Sequence, residues 1–153
     1  MPTISIGLPT YNRGAYLRFS IQNILGQTYK DFELIISDDA SIDDTEAVVK
    51  EFTDCRIRYR RNTVNIGIPG NLNSILSVVQ GDYIIFLHDH DVFKDDLLEK
   101  LMNTYIKDTD LGFVHPGVSW IDPDGGNYTE LLLDDDEITE GDKLVREILM
   151  GSG

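Results

Sequence analysis

The sequence is short of cysteine, of long apolar runs and of positive charge, and each shortage excludes something. Cys55 is the one cysteine. No intrachain disulfide can form, which fits a reducing compartment, and a lone thiol of this kind is expected as a small buried apolar residue. No apolar run approaches the roughly 20 residues of a membrane span, and the N-terminus lacks the basic-then-apolar layout of a signal peptide. The expected location is cytoplasmic. Lys and Arg total 13 against 27 Asp and Glu, a formal net charge of −14. Nucleic-acid binding draws most of its affinity from clustered Lys and Arg, so a phosphate-backbone partner is disfavoured. An anionic ligand would instead need a divalent cation, held by carboxylates, to offset the repulsion. There is no repeat, linker or low-complexity segment either. A chain of 153 residues that is 41% hydrophobic and 26% charged is about one soluble domain with a real core.

Short apolar runs alternate with helical periodicity. Thr3 to Leu8 is a first strand stopped by Pro9, and Ala15 to Leu25 places Leu17, Ile21, Ile24 and Leu25 at helical spacing before Gly26. Phe32 to Ser37 is a second, buried strand. It leads to a helix over Asp44 to Phe52, capped by Ser41 or Asp43, with Ala47, Val48 and Phe52 inward. Arg56 to Arg61 has the pattern of an edge strand with one wet face. Asn62 to Asn71 reads as loop, and Gly67-Ile-Pro-Gly70 is too weak a signal for a phosphate loop. Leu72 to Val79 forms a helix. A helix from Asp95 or Asp96 to about Ile106 turns Leu97, Leu98, Leu101 and Tyr105 to one face. Gly112 to Ile121 and Tyr128 to Leu133 form a hairpin about Asp122-Pro-Asp-Gly-Gly126, and Thr139 to Met150 is a final helix, with Asp142 near a capping box. The fold expected is α/β, a mostly parallel central sheet with helices on both faces. The ending at Gly151-Ser-Gly153, with no strand after an amphipathic helix, suggests a piece of a larger protein.

The richest stretch is Gly81 to Asp91. Tyr83 to Leu87 reads as a fully buried central strand, and His88-Asp-His-Asp91 sits at its carboxyl end, where open parallel sheets bind ligands. Strand alternation points His88 and His90 one way and Asp89 and Asp91 the other. The two carboxylates suit Mg²⁺ or Mn²⁺, whereas the histidines more often pack or bond backbone. Pro9-Thr-Tyr-Asn-Arg13 and Asp38-Asp39 end the first two strands. If the strands are parallel neighbours, all three clusters meet on one edge. Asp38-Asp39 alone is most often a capping turn, and Tyr11 alone a packed loop aromatic; together they form a surface able to stack on a base. The acids at 134–137 read as solvated surface.

Those motifs, with Gln27-Thr-Tyr and Asn65-Ile-Gly67, resemble in order and spacing the family 2 glycosyltransferases, inverting enzymes of the Rossmann-like GT-A fold. The resemblance runs from Thr3 to about Asp96, making residues 1–153 the nucleotide-sugar-binding half of such a domain. It implies a nucleotide-sugar donor, usually a UDP-sugar, with Mg²⁺ or Mn²⁺ bridging the diphosphate, and a glycan, polysaccharide or lipid-linked acceptor. It places Pro9, Thr10 and Tyr11 about the nucleoside, Asp39 on the base, and Arg13 and Asn73 beside the nucleotide. Asp89 and Asp91 stand for the Asp-x-Asp motif, Asp91 as the direct metal ligand and Asp89 nearer the ribose or sugar. Peripheral membrane association through regions outside this sequence, and a homodimer, are both compatible with it.

The departures are specific. Many members read Leu-Asp-x-Asp-Asp where this chain has Leu87-His-Asp-His-Asp91, and Ala-Arg-Asn where it has Asn71-Leu-Asn73. An inverting transfer needs a general base for the acceptor hydroxyl. No acid after Asp91 matches that base, Asp122 and Asp124 included, so no catalytic residue is assigned and the expectation is donor binding without turnover. Two alternatives stay open: a non-catalytic nucleotide-sugar-binding or assembly module, and a Mg²⁺-binding receiver-like domain. The receiver reading lacks both an acid pair after the first strand and the required Lys after the fifth.

Overall fold

A computed structural model of the chain describes residues 1–108, 110–116, 118–121 and 127–131. The chain divides into two compact units, Met1–Glu99 and Lys100–Gly153. The first unit holds β1 (Ile4–Thr10), α1 (Gly14–Gly26), β2 (Phe32–Asp38), α2 (Thr45–Lys50), β3 (Ile57–Arg61), α3 (Gly67–Leu76) and β4 (Tyr83–Phe86). These four strands make one parallel sheet in the order β3-β2-β1-β4. The chain steps outward from β1 to β3, then α3 carries it back across the sheet to β4 on the far side of β1. Crossovers of this kind are right-handed, so the reversal puts α3 on the face opposite α1 and α2.

Side-chain alternation divides the strands between the two faces. Ile6, Leu8, Leu34 and Ile36 lie on the α1/α2 side, where Leu17, Ile21, Ile24 and Val48 are also buried. Each such side chain contributes roughly 1.5–3 kcal/mol by leaving water. The α3 side of β1 and β2 is more polar: Ser5, Gly7, Glu33, Ile35 and Ser37. Gly7 has a packing reason there, since a Cβ would lie 2.8 Å from the Phe86 ring and 2.9 Å from Ile75. At the amino end of the sheet the Glu33 carboxylate, 5% exposed, accepts from Ser5 Oγ at 2.6 Å, Gln80 N at 2.7 Å and Arg58 Nη1. Arg58 also donates to the Val78 carbonyl and Arg60 to the Ser74 carbonyl, so β3 arginines satisfy the carboxyl end of α3.

The structure departs from the sequence-based expectations in several places. β4 is an edge strand of the four-stranded sheet rather than a central one, with Tyr83 37% and Ile84 39% exposed. An apolar run alone does not say whether both flanks are occupied. α3 begins at Gly67, inside the stretch read as loop, because Pro69 falls in the first turn, where its missing N–H is harmless. In α2, Val48 and Val49 are buried and Ala47 is exposed. Cys55 is exposed, in the turn between α2 and β3. Residues 112–116 are not strand, consistent with Pro116 having no amide for a ladder.

α4 (Leu97–Lys107) follows β4, with Leu98 and Met102 buried. In the second unit β5 (Val118–Ile121) and β6 (Asn127–Leu131) pair antiparallel as the expected hairpin. The expected helix over 139–150, Asp122, Asp124 and the acids at 134–137 lie outside the described residues. Among the described residues, no helix is long and apolar enough to cross a membrane.

Candidate functional site

The strand order reverses between β1 and β4, which makes the gap at their carboxyl ends the topological switch point of the sheet. Thr10, the last residue of β1, donates from Oγ1 to Asp89 Oδ2 at 2.7 Å and so bridges that gap. Ser20 of α1 donates to the Asp89 carbonyl at 2.9 Å. The side chain and backbone of Asp89 are thus held from two directions, and the residue is 6% exposed. Because β4 ends at Phe86, His88 to Asp91 form a turn instead of continuing the strand. The expected sharing of one face by Asp89 and Asp91 therefore fails. Asp89 turns inward and Asp91 is exposed. The His90 ring lies between them, Nδ1 3.2 Å from Asp89 Oδ1 and Nε2 3.9 Å from Asp91 Oδ1, and it stacks on His88 with 5.7 Å between ring centres.

Asp38 and Asp39 end β2 and are both buried, at 0% and 3% exposure. Being adjacent, they serve opposite faces. Asp38 accepts from Ser41 N at 2.8 Å through Oδ1, and from Tyr59 OH at 2.7 Å through Oδ2, with Arg61 Nε 3.4 Å away. Burial, then the bond to Asp38, raises the Tyr59 phenol well above its ordinary value, so it remains a donor. On the other face Asp39 Oδ1 accepts from Asn62 Nδ2 at 2.9 Å and Ile66 N at 3.0 Å, and Oδ2 accepts from Gly67 N at 2.9 Å. Ile66 and Gly67 begin α3, so Asp39 caps that helix from another strand. Asn62 also reaches Asn71 Oδ1 at 3.2 Å, and Asn71 exchanges bonds with Ser37 at 2.6 and 2.8 Å.

The three polar clusters expected at the strand ends do meet on one edge. Asp39 N donates to the Thr10 carbonyl at 2.9 Å, joining the second cluster to the first, and Asp89 joins the third. Tyr11 is 45% exposed beside them, and Arg13 is exposed with its guanidinium 5.7 Å from the Tyr16 ring centre. Pro9 lies within β1. Asn73 is exposed on α3; Asn71, two residues earlier and so on the opposite side of the helix, is the amide that reaches β2. Sequence reasoning missed Asn62, Asn71 and Tyr59 because their roles depend on which strand end lies beside which. It also left Ser41 and Asp43 as interchangeable caps. Asp43 is the one that holds the helix starts, accepting from Gly14 N at 3.0 Å and Thr45 N at 3.0 Å.

Among the described residues no buried side-chain nitrogen or oxygen lacks a partner, and no group of three His, Cys, Asp or Glu side chains could hold a metal. Mg²⁺ and Mn²⁺ do not need such a cage, since one or two carboxylates with substrate phosphates and water suffice. Asp91 fits that mode, with an exposed carboxylate next to the switch point, while Asp89 is already committed to Thr10.

The chain matches a family model described as "Glycosyl transferase family 2" over residues 5–148, well beyond the stretch that carries the motifs. It is 35% identical over 153 residues to the GalNAc(5)-diNAcBac-PP-undecaprenol beta-1,3-glucosyltransferase of Campylobacter jejuni, covering 95% of this chain and 48% of that protein. It is 36% identical over 104 residues to the UDP-Glc:alpha-D-GlcNAc-diphosphoundecaprenol beta-1,3-glucosyltransferase WfgD of Escherichia coli, covering 68% of this chain and 41% of that one. The chain thus spans half or less of the length of these relatives. Among solved structures, the mannosyltransferase PcManGT from Pyrobaculum calidifontis, in complex with GDP-Man and Mn2+, superposes with a TM-score of 0.65 at 22% identity, covering 68% of this chain and 32% of that one. At that identity the likeness speaks for the fold, a GT-A sheet. A parallel sheet with acids gathered at its switch point, and a family match over nearly the whole sequence, agree: this chain belongs to glycosyltransferase family 2.

Proposed function

We propose that residues 1–153 are the donor-binding half of a glycosyltransferase that takes a sugar from a nucleoside-diphosphate sugar, a UDP-sugar first among them, with inversion. The acceptor class is a lipid-linked glycan, the kind named for the C. jejuni and E. coli relatives. The observation that carries this reading is the Thr10–Asp89 bond across the switch point, with Asp39 bonded to the same residue's carbonyl. It supports one continuous site from base to diphosphate.

In this reading the exposed Tyr11 ring stacks on the base, since every base offers a π-face. Asp39 meets a base N–H, and its existing donors favour the ionised, acceptor-only form that such a contact needs. Thr10 orients Asp89 toward the ribose or sugar, while Pro9 and Arg13 flank the nucleotide. Asp91 would hold Mg²⁺ or Mn²⁺, whose chemistry is to neutralise charge on the departing diphosphate. The described residues supply no base for the acceptor hydroxyl, so this chain binds donor, and turnover waits on an acid that the present assignment does not include.

Calorimetry on the full chain with UDP-glucose, with and without Mn²⁺, tests the proposal. Binding that needs Mn²⁺ and weakens about tenfold or more in Asp91→Ala is expected, as for loss of a charged contact. A folded chain that binds no nucleoside-diphosphate sugar at millimolar concentration overturns it.

A further inference from the structure

Two non-glycine residues in the structure adopt left-handed backbone conformations, Asn12 at φ 52° and Ala40 at φ 64°. Such conformations are disfavoured and persist where surrounding bonds over-determine them. Their positions correspond. Thr10 and Asp38 are register partners at the ends of neighbouring strands, Tyr11 and Asp39 follow them, and Asn12 and Ala40 come next. Each residue proposed to touch the base is therefore followed at once by a left-handed one.

The two turns are tied to each other. Asn12 N donates to Ser41 Oγ at 2.9 Å, and Ile42 N donates back to Asn12 Oδ1 at 2.8 Å. Each loop thus supplies one backbone donor and one side-chain acceptor to the other. A further brace holds the second loop: Ser41 N donates to Asp38 Oδ1 at 2.8 Å, and Arg61 Nη2 to the Ser41 carbonyl at 2.6 Å. Ser41 is 5% exposed, so its hydroxyl is fixed by packing as well as by bonds. Neighbouring strands leave the sheet only about 4.8 Å apart, and the loops must then diverge in a controlled way to admit a ring.

We infer that Asn12 and Ser41 are positioning residues, a reciprocal clasp that sets the spacing between Tyr11 and Asp39 and so the fit of the nucleobase. The inference rests on the nucleotide reading above. Neither residue touches the ligand in it. Their effect passes through the loops, and it falls on the base rather than on the diphosphate.

Separate titrations of the full chain with UDP and with inorganic pyrophosphate, both with Mn²⁺, test this. Asn12→Gly keeps the backbone freedom of a left-handed residue and deletes the acceptor; Ser41→Ala deletes the hydroxyl. Each is expected to bind UDP roughly tenfold more weakly while pyrophosphate affinity stays within about twofold, the scale of one lost hydrogen bond acting on one part of the ligand. Asn12→Asp, which keeps both the acceptor and the tolerance for this conformation, should restore UDP binding. Equal UDP affinity in wild type and in Asn12→Gly overturns the clasp alone, as does a parallel loss of pyrophosphate. A wild-type chain that binds no UDP overturns the nucleotide reading and the clasp with it. If Ser41→Ala does not fold, Asn12→Gly at its exposed site decides the question.

Discussion

The two ends of the central sheet both bury carboxylates, and they treat them differently. At the amino end one acid, Glu33, faces one guanidinium, Arg58, with Ser5 and the Gln80 amide completing its shell. At the carboxyl end three acids, Asp38, Asp39 and Asp89, are buried, and the one cation paired with them in the described residues is Arg61, 3.4 Å from Asp38. Neutral donors do the rest. The amino end is balanced and built from strands and a tight turn. The carboxyl end is acid-rich, built from loops, and includes both left-handed residues. One is a joint that holds the sheet; the other is a surface prepared for a ligand that brings positive charge or donors.

That contrast predicts stability effects at the amino end and binding effects at the carboxyl end. The largest is expected for Gly81→Ala, whose Cβ would lie 2.6 Å from the Ser5 amide nitrogen and 2.8 Å from the Ile4 carbonyl carbon. Backbone cannot yield as a side chain can, so a loss of about 3 kcal/mol in urea unfolding is expected. Arg58→Met should cost about 2 kcal/mol, because it leaves Glu33 buried without its cation while the arginine's partial exposure softens the effect.

Acid should act through the same end. Burial pushes the Glu33 carboxyl up, but bonds from Ser5, Arg58 and the Gln80 amide outweigh it and hold the group below its ordinary 4.5. A lowered pKa contributes stability that is present above 4.5 and lost as pH falls through the folded-state value. Urea midpoints should therefore drop between pH 5 and pH 3, and less steeply in Glu33→Gln. An unchanged slope in that variant breaks the assignment. Smallest of all, Asp91→Ala should leave stability within about 0.5 kcal/mol, as an exposed turn residue, while removing metal-dependent binding. A large stability loss there would erase the distinction between the ends.

Much of this was legible before any coordinates. Local periodicity found the four parallel strands and α1, and the order of alternating elements gave the sheet, because those signals are short-range. The gathering of Thr10, Asp39 and Asp89 on one edge followed from parallel strands. Three things were hidden. The edge position of β4 is a property of its neighbours, which its own residues do not encode. The early start of α3 was masked by Gly67, Pro69 and Gly70, residues that serve turns and first helical turns alike. The split of Asp89 from Asp91 came from the strand stopping at Phe86, after which alternation no longer applies. Asn62 and Asn71 carried no sequence signal at all, since each matters only once β3 and α3 are brought to the end of β2.

The capping of α3 by Asp39 also bears on how affinity is divided. Helix starts are ready-made seats for phosphate, and many nucleotide sites use one. Here that seat is occupied by the protein's own carboxylate. A diphosphate arriving at this edge gains nothing from the α3 dipole and meets a chain of formal charge −14. Its attraction has to be imported with the metal. A nucleoside without phosphates should then lose little that the protein itself provided, and donor affinity in this chain becomes largely a report on how well Asp91 and its cation are set.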